Sequence, residues 1–438
     1  MQRASISSLA GQGDRPVRVC GFVSGIRVLK RMIFIVVEDR TGSVQVTIER
    51  TSPSTALERV ALEAALGAAV DIRGTAMSNP AVRAGGIEIL LSSIEIVGPS
   101  EGELPIHDDT APERQLDWRF LSLRRPSRRL VFEVQTTVER AMRGYWEQNG
   151  FLELHSPKLM HSASESGSET FATPYFDLGT AYLAQSPQFY KQMAMAAGFE
   201  RVFEIGPVFR AEPSMTTKHA TEFTSVDVEL AWIESYEDVM RLQEEWLREV
   251  LEAVRASHGS DIERELGVEV RVPTLPVPRI TMAAAHDILR EARHALPVVT
   301  KPGDIDPEGE RIVARHVAEA FGGSELFFLT EYPVTLRPFY HMRFEERPAL
   351  TKSFDLMWKG IEIATGAQRE HRHATLARQA EEAGLGESVS YYLDFFRYGC
   401  PPHGGFGLGL ARVVMLLLEL PSVREAAFLH RGPNRLTP

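Results

Sequence analysis

The feature that most limits how this chain can fold is the pattern of residues 202–232, VFEIGPVFRAEPSMTTKHATEFTSVDVELAW. Successive side chains of a strand point to opposite faces, so Val226, Val228, Leu230 and Trp232 form one apolar face. The pattern predicts two strands joined by a polar, turn-rich loop, with the apolar face buried in a core. The opposite surface is polar and carries Arg210, Glu212, Phe223, Ser225, Asp227 and Glu229, with Lys218 and His219 in the loop.

Helical periodicity precedes and follows this strand pair. Ser127 is expected to cap a first helix that ends at Asn149-Gly150, and Ser235 with Asp238 forms the capping box of a second. Their apolar stripes are Leu130, Val134, Val138, Met142 and Tyr145 in the first, and Val239, Leu242, Trp246, Val250 and Val254 in the second. Because strand runs and helices do not alternate strictly, we expect an α+β domain with an antiparallel sheet flanked by helices.

Residues 17–97 contain five short strand-like segments. A helix-like stretch at residues 54–66 falls between the third and the fourth of them. This order predicts a small OB-type β-barrel, a common platform for single-stranded nucleic acid, with a generic accessory β-barrel as the alternative. The acidic, proline-containing residues 99–118 are expected to form a linker, which gives domains at 1–98 and 119–438.

Composition and charge restrict the function. The 438 residues are too many for one ordinary core, and the net charge of −11 argues against holding nucleic acid by bulk charge. Residues 1–100 carry 11 basic and 9 acidic side chains, a net +2, which leaves −13 for the remainder and favours the N-terminal end for nucleic acid. Two distant cysteines and no signal-like or membrane-spanning run predict a cytoplasmic protein without a membrane partner.

Residues 353–373, SFDLMWKGIEIATGAQREHRH, contain oxygen ligands suited to a hard cation. Asp355, Glu362 and Thr365 could hold an Mg²⁺ ion that bridges phosphates. Arg369 offers a planar fork of donors for a carboxylate. The two histidines of the terminal HRH are a weaker signal for zinc, because no cysteine or third spaced ligand accompanies them.

Residues 401–420, PPHGGFGLGLARVVMLLLEL, combine clustered glycines with an apolar, helix-like run. Glycines let a backbone approach a ligand closely, and Arg412 lies at the start of the predicted helix, where anions are favoured. As a dinucleotide-binding fingerprint the segment is weak, because no parallel βαβ unit and no suitably spaced acidic residue follow it.

Together these segments resemble the class II aminoacyl-tRNA synthetases. FRAE…KHATEF resembles motif 2, GGFGLGLAR resembles motif 3, and FLELHSPKL, residues 151–159, resembles motif 1 with Pro157 at the dimer contact. SASESGSETF, LAQSPQFYKQ, RPFYHM and GIEIATGAQREH narrow the resemblance to aspartyl-tRNA synthetases of the archaeal and eukaryotic-cytosolic type. It covers essentially the whole chain, and it implies an anticodon-binding OB-fold at 1–98, a linker at 99–118, a catalytic domain at 119–438 and a homodimer.

The resemblance implies an ATP site. Arg210 would clamp the α-phosphate and the aspartate carboxylate, and Arg412 would bind the γ-phosphate, which makes these two the implied catalytic residues. The other implied ATP ligands are Glu212 on the adenine side, Lys218 and His219 at the outer phosphates, Phe223 stacked on adenine, Glu362 and Gly409. No nucleophile or obligatory general base is needed, because charge stabilisation and positioning drive both steps.

The resemblance also implies a Mg²⁺ site and an aspartate pocket. Glu362 and Thr365 would hold the Mg²⁺ cofactor. The implied aspartate ligands are Glu165 for the amino group, Gln188, Lys191, Arg210 and Thr365, and Arg369 for the side-chain carboxylate. Asparaginyl-tRNA synthetases are close relatives, but Arg369 together with Lys191 favours a carboxylate substrate over an amide.

In the barrel, alternation places Gln45 and Glu88 on the outward face. By resemblance, Phe34 would stack on an anticodon base, with core packing as its alternative, while Gln45 and Glu88 would read base edges. In related enzymes that select tRNA(Asp) strictly, a Trp and a Lys stand where this chain has Ser24 and Ala81. Both residues are too small to press or pair against the third anticodon base, so charging of tRNA(Asn) as well as tRNA(Asp) is expected. The alternative is that Arg83 supplies the missing cation from the same loop.

Three departures from the family pattern leave rival hypotheses open. Ala411 stands where an acidic residue usually precedes the motif 3 arginine, Ser166 replaces a glycine of the aspartate loop, and Pro213-Ser214-Met215 is an unusual motif 2 loop. One rival is a paralogue that adenylates an amino acid without charging tRNA in translation, and another is a binding protein whose catalytic site has decayed. The retained barrel residues argue against the first, and the complete arginine, glutamate and histidine set argues against the second.

Overall fold

Residues 1–10, 14–82, 86–162, 170–213, 216–297 and 301–438 are those that a computed structural model of the chain describes. Arg83, Glu165, Ser166, Ser214 and Met215 lie outside the described residues. The chain separates into two units, residues 1–128 with Pro438 and residues 129–437.

The first unit contains the predicted barrel. Its elements are β1 (Arg15–Val28), β2 (Met32–Asp39), β3 (Gly42–Glu49), α1 (Ala56–Glu63), β4 (Ala69–Ser78), β5 (Ile87–Gly98), α2 (Pro112–Asp117) and α3 (Arg119–Ser122). The strands close into a barrel in the order β1-β2-β3-β5-β4, and only β3 and β5 pair in parallel. The OB-type prediction is therefore confirmed, with the expected helix between β3 and β4. Helix α2 lies within residues 99–118, so part of the predicted linker is helical.

Alternation explains why these segments form strands. The inward side chains are branched aliphatic residues that are almost fully buried, among them Val19, Ile33, Ile35, Val37, Val46, Val70, Ile72 and Ile89. β-branched residues fit the pleated, half-buried surface of a sheet, and the polar residues between them face outward. The outward face of the barrel is therefore free to carry recognition residues.

The remainder of the chain forms an α+β unit, which confirms the predicted class. Its helices are α4 (Pro126–Gln148), α5 (Gln188–Ala196), α6 (Tyr236–Leu266), α7 (Met282–Glu291), α8 (Pro307–Ala320), α9 (His373–Glu382), α10 (Ser390–Leu393), α11 (Leu410–Leu417) and α12 (Val423–Ala426). Its strands are β6 (Leu152–Glu153), β7 (Leu159–Met160), β8 (Ala172–Pro174), β9 (Thr180–Leu183), β10 (Arg201–Phe209), β11 (Glu222–Ala231), β12 (Arg279–Thr281), β13 (Leu326–Thr330), β14 (Ser353–Trp358), β15 (Ile361–Gln368) and β16 (His403–Gly409).

An eight-stranded sheet organises this second unit. Its order is β12-β13-β14-β15-β16-β11-β10-β6, and β7, β9 and β8 form a small separate sheet. The large sheet is antiparallel except for the outermost pairs β12–β13 and β10–β6, which are parallel. Helices α4 and α6 pack on its apolar face, where the rings of Trp146 and Trp246 stack with centroids 5.2 Å apart. The candidate functional site lies on the opposite, polar face of the sheet.

The strand pair predicted for residues 202–232 is β10 and β11. Val226, Val228 and Leu230 are buried in the core as expected. The prediction is wrong for Trp232, whose side chain is 67% exposed. Strand β11 ends at Ala231 and Trp232 has a φ of 60°, so the alternation of faces stops before it.

The two predicted helix starts have different outcomes. The capping box of Ser235 and Asp238 is present at the start of α6. Ser127 is not a cap, because α4 already begins at Pro126, and proline suits the first turn of a helix. In the described part of the chain, no helix is both long and apolar enough to cross a membrane.

Candidate active site and nucleic-acid surface

A cavity of about 740 Å³ lies on the polar side of strands β11, β15 and β16. Most residues that the sequence predicts for ATP and aspartate line it together: Gln188, Arg210, Glu212, Lys218, His219, Phe223, Glu362, Thr365, Arg369, Gly409 and Arg412. Lys191 does not line the cavity, and Glu165 lies outside the described residues. The fold thus joins three segments that are far apart in sequence around one cavity.

Arg210 and Phe223 form one wall of the cavity. The backbone N–H of Arg210 donates to the carbonyl of Thr221 at 2.9 Å, which fixes the residue beside the start of β11. Its guanidinium carbon lies 5.5 Å from the Phe223 ring centroid. Its Nε is buried and has no hydrogen-bond partner among the described residues. A buried donor without a partner is costly, which fits a guanidinium that pairs with an anionic ligand.

The loop between β10 and β11 contributes His219, whose Nε2 lies 3.5 Å from Glu212 Oε1. Burial lowers the pKa of His219, and the nearby cations Arg412 and Lys218 lower it further, while Glu212 opposes them. At pH 7 the imidazole is therefore neutral. It can donate a hydrogen bond to a phosphate, and the positive charge at this end of the cavity comes from Lys218 and Arg412.

Glu310 is a neighbour of this loop that the sequence did not single out. It lies in the first turn of α8, where an acidic residue usually complements the helix dipole. Its Oε2 is 3.6 Å from Lys218 Nζ. Burial raises the pKa of Glu310 to about 7, and the carboxylates of Glu362 and Asp355 add to the effect while Lys218 opposes it. The carboxyl group therefore holds a proton near neutral pH more readily than an ordinary glutamate.

Arg412 is oriented by residues distant from it in sequence. Its Nη1 donates to the Glu362 carbonyl at 2.9 Å and lies 3.5 Å from the Glu362 carboxylate. Its Nε donates to the Lys218 carbonyl at 3.2 Å. Ala411, which stands where an acidic residue is usual, lines the cavity and packs against the apolar core. The guanidinium thus has partners without a carboxylate at position 411.

Three oxygen-bearing side chains that could hold Mg²⁺ are close together. Asp355 and Thr365 are paired in register on β14 and β15, and Thr365 Oγ1 donates to Glu362 Oε1 at 3.3 Å. Asp355 Oδ2 accepts from Arg337 Nη2 at 2.7 Å, and Asp355 Oδ1 is buried without a partner among the described residues. An orphaned carboxylate oxygen in such a donor set fits a hard cation.

The pKa values of Glu362 and Asp355 are shifted in opposite directions. Loss of hydration opposes ionisation of Glu362, but Arg412, Arg337, Arg210 and Lys218 outweigh it and lower its pKa. Burial raises the pKa of Asp355, and Glu362 adds to the shift, while Arg337 opposes it. No group of three His, Cys, Asp or Glu residues in the described ranges is arranged to hold a metal, so Mg²⁺ would take most of its ligands from phosphates and water.

Arg369 lies at the far end of the cavity in a buried polar cluster. Its Nε donates to Glu229 Oε1 at 3.0 Å, its Nη2 donates to the Gly405 carbonyl at 3.0 Å, and its Nη1 lies 2.9 Å from His341 Nε2. A guanidinium cannot accept, so His341 Nε2 accepts and its proton lies on Nδ1. Burial and the adjacent Arg369 lower the pKa of His341, which keeps the imidazole neutral.

Lys191 contributes to the same cluster from below the cavity wall. Its Nζ lies 3.1 Å from Asp227 Oδ1 and 3.3 Å from Glu229 Oε2, and its side chain is almost fully buried. The expectation that Lys191 lines the pocket is corrected, because Asp227 and Glu229 hold its ammonium group. Gln188 does line the cavity, and its amide donates to Gln192 Oε1 at 2.8 Å.

Glycines of β16 let this strand approach β11 beneath the cavity. A Cβ atom on Gly405 would lie 2.0 Å from the Val228 carbonyl oxygen, and one on Gly407 would lie 3.1 Å from Asp227 Oδ1. Gly409 ends the strand, and Arg412 follows in the first turn of α11. The glycine run is therefore required for the close packing that brings Arg412 to the cavity.

On the barrel, the predicted recognition residues lie in one row across four strands. Ser24 is an exposed residue at a bulge of β1, and its Oγ is 3.5 Å from the Val36 carbonyl on β2. Val36 pairs with Gln45 on β3, and Gln45 pairs with Glu88 on β5. Gln45 and Glu88 point outward, with Gln45 Nε2 3.5 Å from Glu88 Oε2.

Phe34 lies beside this row on β2. Its neighbours Ile33 and Ile35 are fully buried, whereas its own ring is half-buried on the outer face. The guanidinium carbon of Arg27 lies 4.8 Å from the ring centroid. The core-packing alternative for Phe34 is therefore wrong. Ala81 is exposed in the connection between β4 and β5.

Comparisons with known proteins agree over both units. Residues 111–431 match the family of class II tRNA synthetases (D, K and N), and residues 17–97 match the OB-fold nucleic acid binding domain. The chain is 42% identical to the aspartate–tRNA(Asp/Asn) ligase of Aeropyrum pernix, across 99% of this chain and 98% of that protein. It is 39% identical to the aspartate–tRNA(Asp) ligase of Thermococcus kodakarensis, across 96% of each.

Solved structures show the same architecture. The asparaginyl-tRNA synthetase of Pyrococcus horikoshii, complexed with asparaginyl-adenylate, superimposes with a TM-score of 0.89 and 30% identity, and each chain is covered completely. An aspartyl-tRNA synthetase from Entamoeba histolytica superimposes with a TM-score of 0.88 and 26% identity.

Proposed function

The chain belongs to the class II tRNA synthetases of the D, K and N group, and we propose that it is an aspartate–tRNA ligase acting on both tRNA(Asp) and tRNA(Asn). The observation that carries the proposal is the cavity in which Arg210, Lys218 and Arg412 line the same space as Arg369. It offers one cationic end for a triphosphate and another for an amino acid that carries an additional carboxylate.

In the first step, the α-carboxylate oxygen of aspartate attacks the α-phosphorus of ATP. The new P–O bond gives aspartyl-adenylate, and the bond to the β-phosphate breaks to release pyrophosphate. Arg210, whose buried Nε has no partner in the described part of the chain, would stabilise the charge that develops on the α-phosphate. Lys218 and Arg412 would bind the outer phosphates, His219 would donate a hydrogen bond, and Phe223 and Glu212 would receive adenine.

In the second step, a terminal hydroxyl of tRNA attacks the carbonyl carbon of the adenylate. The ester bond forms, and the mixed anhydride breaks to release AMP. The proton of the hydroxyl leaves with the phosphate of AMP or passes to water, so no protein base is required. The contribution of the chain would be to hold both reactants in place, and Gly409 with the adjacent β16 backbone lines the cavity where they would lie.

Glu362 and Thr365, with Asp355 beside them, are the residues that would hold Mg²⁺. When bound, the ion would neutralise phosphate charge and help to orient the triphosphate. The lowered pKa of Glu362 supports this assignment, whereas burial raises the pKa of Asp355 and makes it the weaker ligand of the set.

Aspartate specificity would come from Arg369 and the cluster behind it. Glu229 and His341 hold the guanidinium in place, and Lys191 offsets the charge of Glu229. The side-chain amide of asparagine would leave a buried donor of Arg369 without an anionic partner. An unpaired buried group of this kind lets a site discriminate strongly between aspartate and asparagine. Gln188 and Thr365 line the same cavity, and Glu165 remains the proposed contact for the amino group.

The barrel would bind the anticodon. The row from Ser24 to Glu88, with Phe34 beside it, combines an aromatic platform with polar groups for base edges. The proposed division is an anticodon-binding domain at 1–98, a connection at 99–118 and a catalytic domain at 119–438, whereas the two compact units of the structure separate between residues 128 and 129.

A homodimer is also proposed. Strand β6 is the last strand at its edge of the large sheet, and Leu152 within it and Leu159 in β7 are exposed apolar residues. An unpaired edge with exposed leucines is the kind of surface that a second copy covers in an isologous contact. Sedimentation at micromolar concentration tests this, and a fully active monomer would contradict it.

The function is tested by two assays. Pyrophosphate exchange with ATP, Mg²⁺ and either aspartate or asparagine tests activation, and only aspartate should support rapid exchange. Charging of purified tRNA(Asp) and tRNA(Asn) transcripts tests transfer. Exchange without charging of either transcript would favour a paralogue that adenylates an amino acid outside translation.

A further inference from the structure

The carboxylate of Glu88 is held from two sides on the barrel surface. Thr47 Oγ1 donates to Oε2 at 2.5 Å, and Asn79 Nδ2 donates to Oε1 at 2.8 Å. Thr47 is buried on β3, whereas Asn79 follows β4 at the start of the connection to β5. Both oxygens of a half-buried carboxylate are therefore fixed by neighbouring strands.

The orientation of the Asn79 amide is determined by its partners. An ionised carboxylate can only accept, so the amide nitrogen must face Glu88. The amide oxygen then faces the backbone N–H of Ala81 and accepts it at 3.1 Å. The two contacts require the same orientation, which makes the assignment consistent.

The backbone around Asn79 holds the side chain in place. Its N–H donates to the Gly86 carbonyl at 2.8 Å, and its carbonyl accepts from Val82 at 2.9 Å. An Asn side chain that bonds two residues further along the chain forms a recurrent turn, so Asn79 has an ordinary structural role at Ala81. The contact to Glu88 is additional to that role.

We propose that Asn79 is a positioning residue for the anticodon, because it fixes the carboxylate of Glu88 for a base that presents an N–H donor. The proposal rests on the proposed function and deepens it. A carboxylate reads donors only, such as the N3–H of uracil or the amino group of cytosine. With both oxygens already held, the remaining lone pairs point in fixed directions and the side chain loses less entropy when the base binds.

The decisive variant is Asn79→Asp. It keeps an acceptor for the Ala81 N–H, so the turn remains, but it places an oxygen where the donor to Glu88 stood. The kcat/KM for charging tRNA(Asp) should fall about tenfold, mainly through a higher KM for tRNA, the scale of one lost base-edge contact. Aspartate-dependent pyrophosphate exchange should not change, and the melting temperature should fall by only a few degrees from the repulsion between the two carboxylates.

A second variant and a control separate positioning from charge repulsion. Asn79→Ala removes the donor without adding charge and should also weaken charging, by about three- to tenfold. Ser93→Asp adds the same charge at an exposed position further along β5 and should change kcat/KM less than about twofold. An equal loss in Ser93→Asp would overturn the proposal, because tRNA would then respond to any added negative charge.

A double-mutant cycle links the effect to Glu88. In a Glu88→Ala background, Asn79→Asp should have almost no further effect on kcat/KM, because the group that it positions is absent. Full additivity of the two changes, or wild-type charging by Glu88→Ala alone, would overturn the inference. Wild-type protein that exchanges pyrophosphate but charges neither transcript would instead contradict the proposed function itself.

Discussion

Arg369 and Glu229 form an almost fully buried ion pair at one end of the cavity, with Nε 3.0 Å from Oε1. Lys191 lies 3.3 Å from the other oxygen of the same carboxylate. One glutamate thus fixes two cations, of which only Arg369 lines the cavity. The pair is a structural element, and in the proposed function Arg369 also recognises an acidic amino acid, so its replacement should have two measurable consequences.

Arg369→Leu should weaken aspartate activation far more than ATP binding. It also leaves Glu229 buried with Lys191 alone, and breaking a buried pair costs about 3–5 kcal/mol of folding free energy. Arg369→Lys keeps the charge and loses the fork, so it should fold while raising the KM for aspartate. Pyrophosphate exchange and urea unfolding measure the two effects.

The matched control is Arg378→Leu. The side chain of Arg378 is 65% exposed and lies 3.8 Å from Glu382, which is itself 46% exposed, so its loss should cost at most about 1 kcal/mol. An unchanged KM for aspartate in Arg369→Lys would contradict the pocket assignment.

Arg210→Ala should slow aspartate-dependent pyrophosphate exchange by about 10²–10³-fold, the scale for removing one preorganised donor to transition-state charge. Its Nε is buried without a partner among the described residues, so the truncation breaks no hydrogen bond of this group there and the protein should remain folded. Arg241→Ala, at an exposed position on α6, is the control. Exchange at the wild-type rate would mean that Arg210 does not contact the reacting phosphate.

Glu310→Gln should change how stability depends on pH. Burial raises the pKa of Glu310 to about 7, whereas an unfolded glutamate titrates near about 4.3. A raised pKa in the folded state means that its contribution to stability is present below the unfolded value and is lost as the pH rises through about 7. The variant mimics the protonated form, so it should match wild type near pH 4.5 and exceed it by on the order of 2–3 kcal/mol at pH 8.

Urea unfolding of Glu310→Gln and wild type at both pH values measures this difference. Glu308→Gln, an exposed position on the same helix, is the control and should follow wild type at both. Parallel pH curves for wild type and Glu310→Gln would show that Lys218 compensates the buried charge fully.

The sequence predicts the elements with local signals and misses contacts that depend on tertiary structure. Alternation correctly assigns Val226 and Val228 to the core, and it fails at Trp232 because a positive φ ends the strand there. The capping box at Ser235 is correct because the signal lies within four residues.

The same contrast between local signals and tertiary contacts applies to the candidate site. Motif resemblance groups the residues that line the cavity, but it cannot reveal that Asp227 and Glu229 hold Lys191, because those partners come from another strand. It likewise treats Ala411 as a defect, whereas the Glu362 and Lys218 carbonyls orient Arg412. Glu310 is missed because its position in the first turn of α8 already has an ordinary explanation.

The last prediction is that the protein charges tRNA(Asn) as well as tRNA(Asp). The two anticodons differ only at the third base, so in the proposed function selection depends on a few contacts between the barrel and that base. Ser24 and Ala81 are exposed and short, and a missing base contact removes about 1–3 kcal/mol of discrimination. The ratio of kcat/KM for the two transcripts should therefore stay below about 100, or about 2.7 kcal/mol. Ser24→Trp should raise the preference for tRNA(Asp), because a large ring at the bulge of β1 can press against the third base, while Ser93→Trp should leave the ratio unchanged. A wild-type ratio above about 100 would mean that other residues of the barrel distinguish cytosine from uracil.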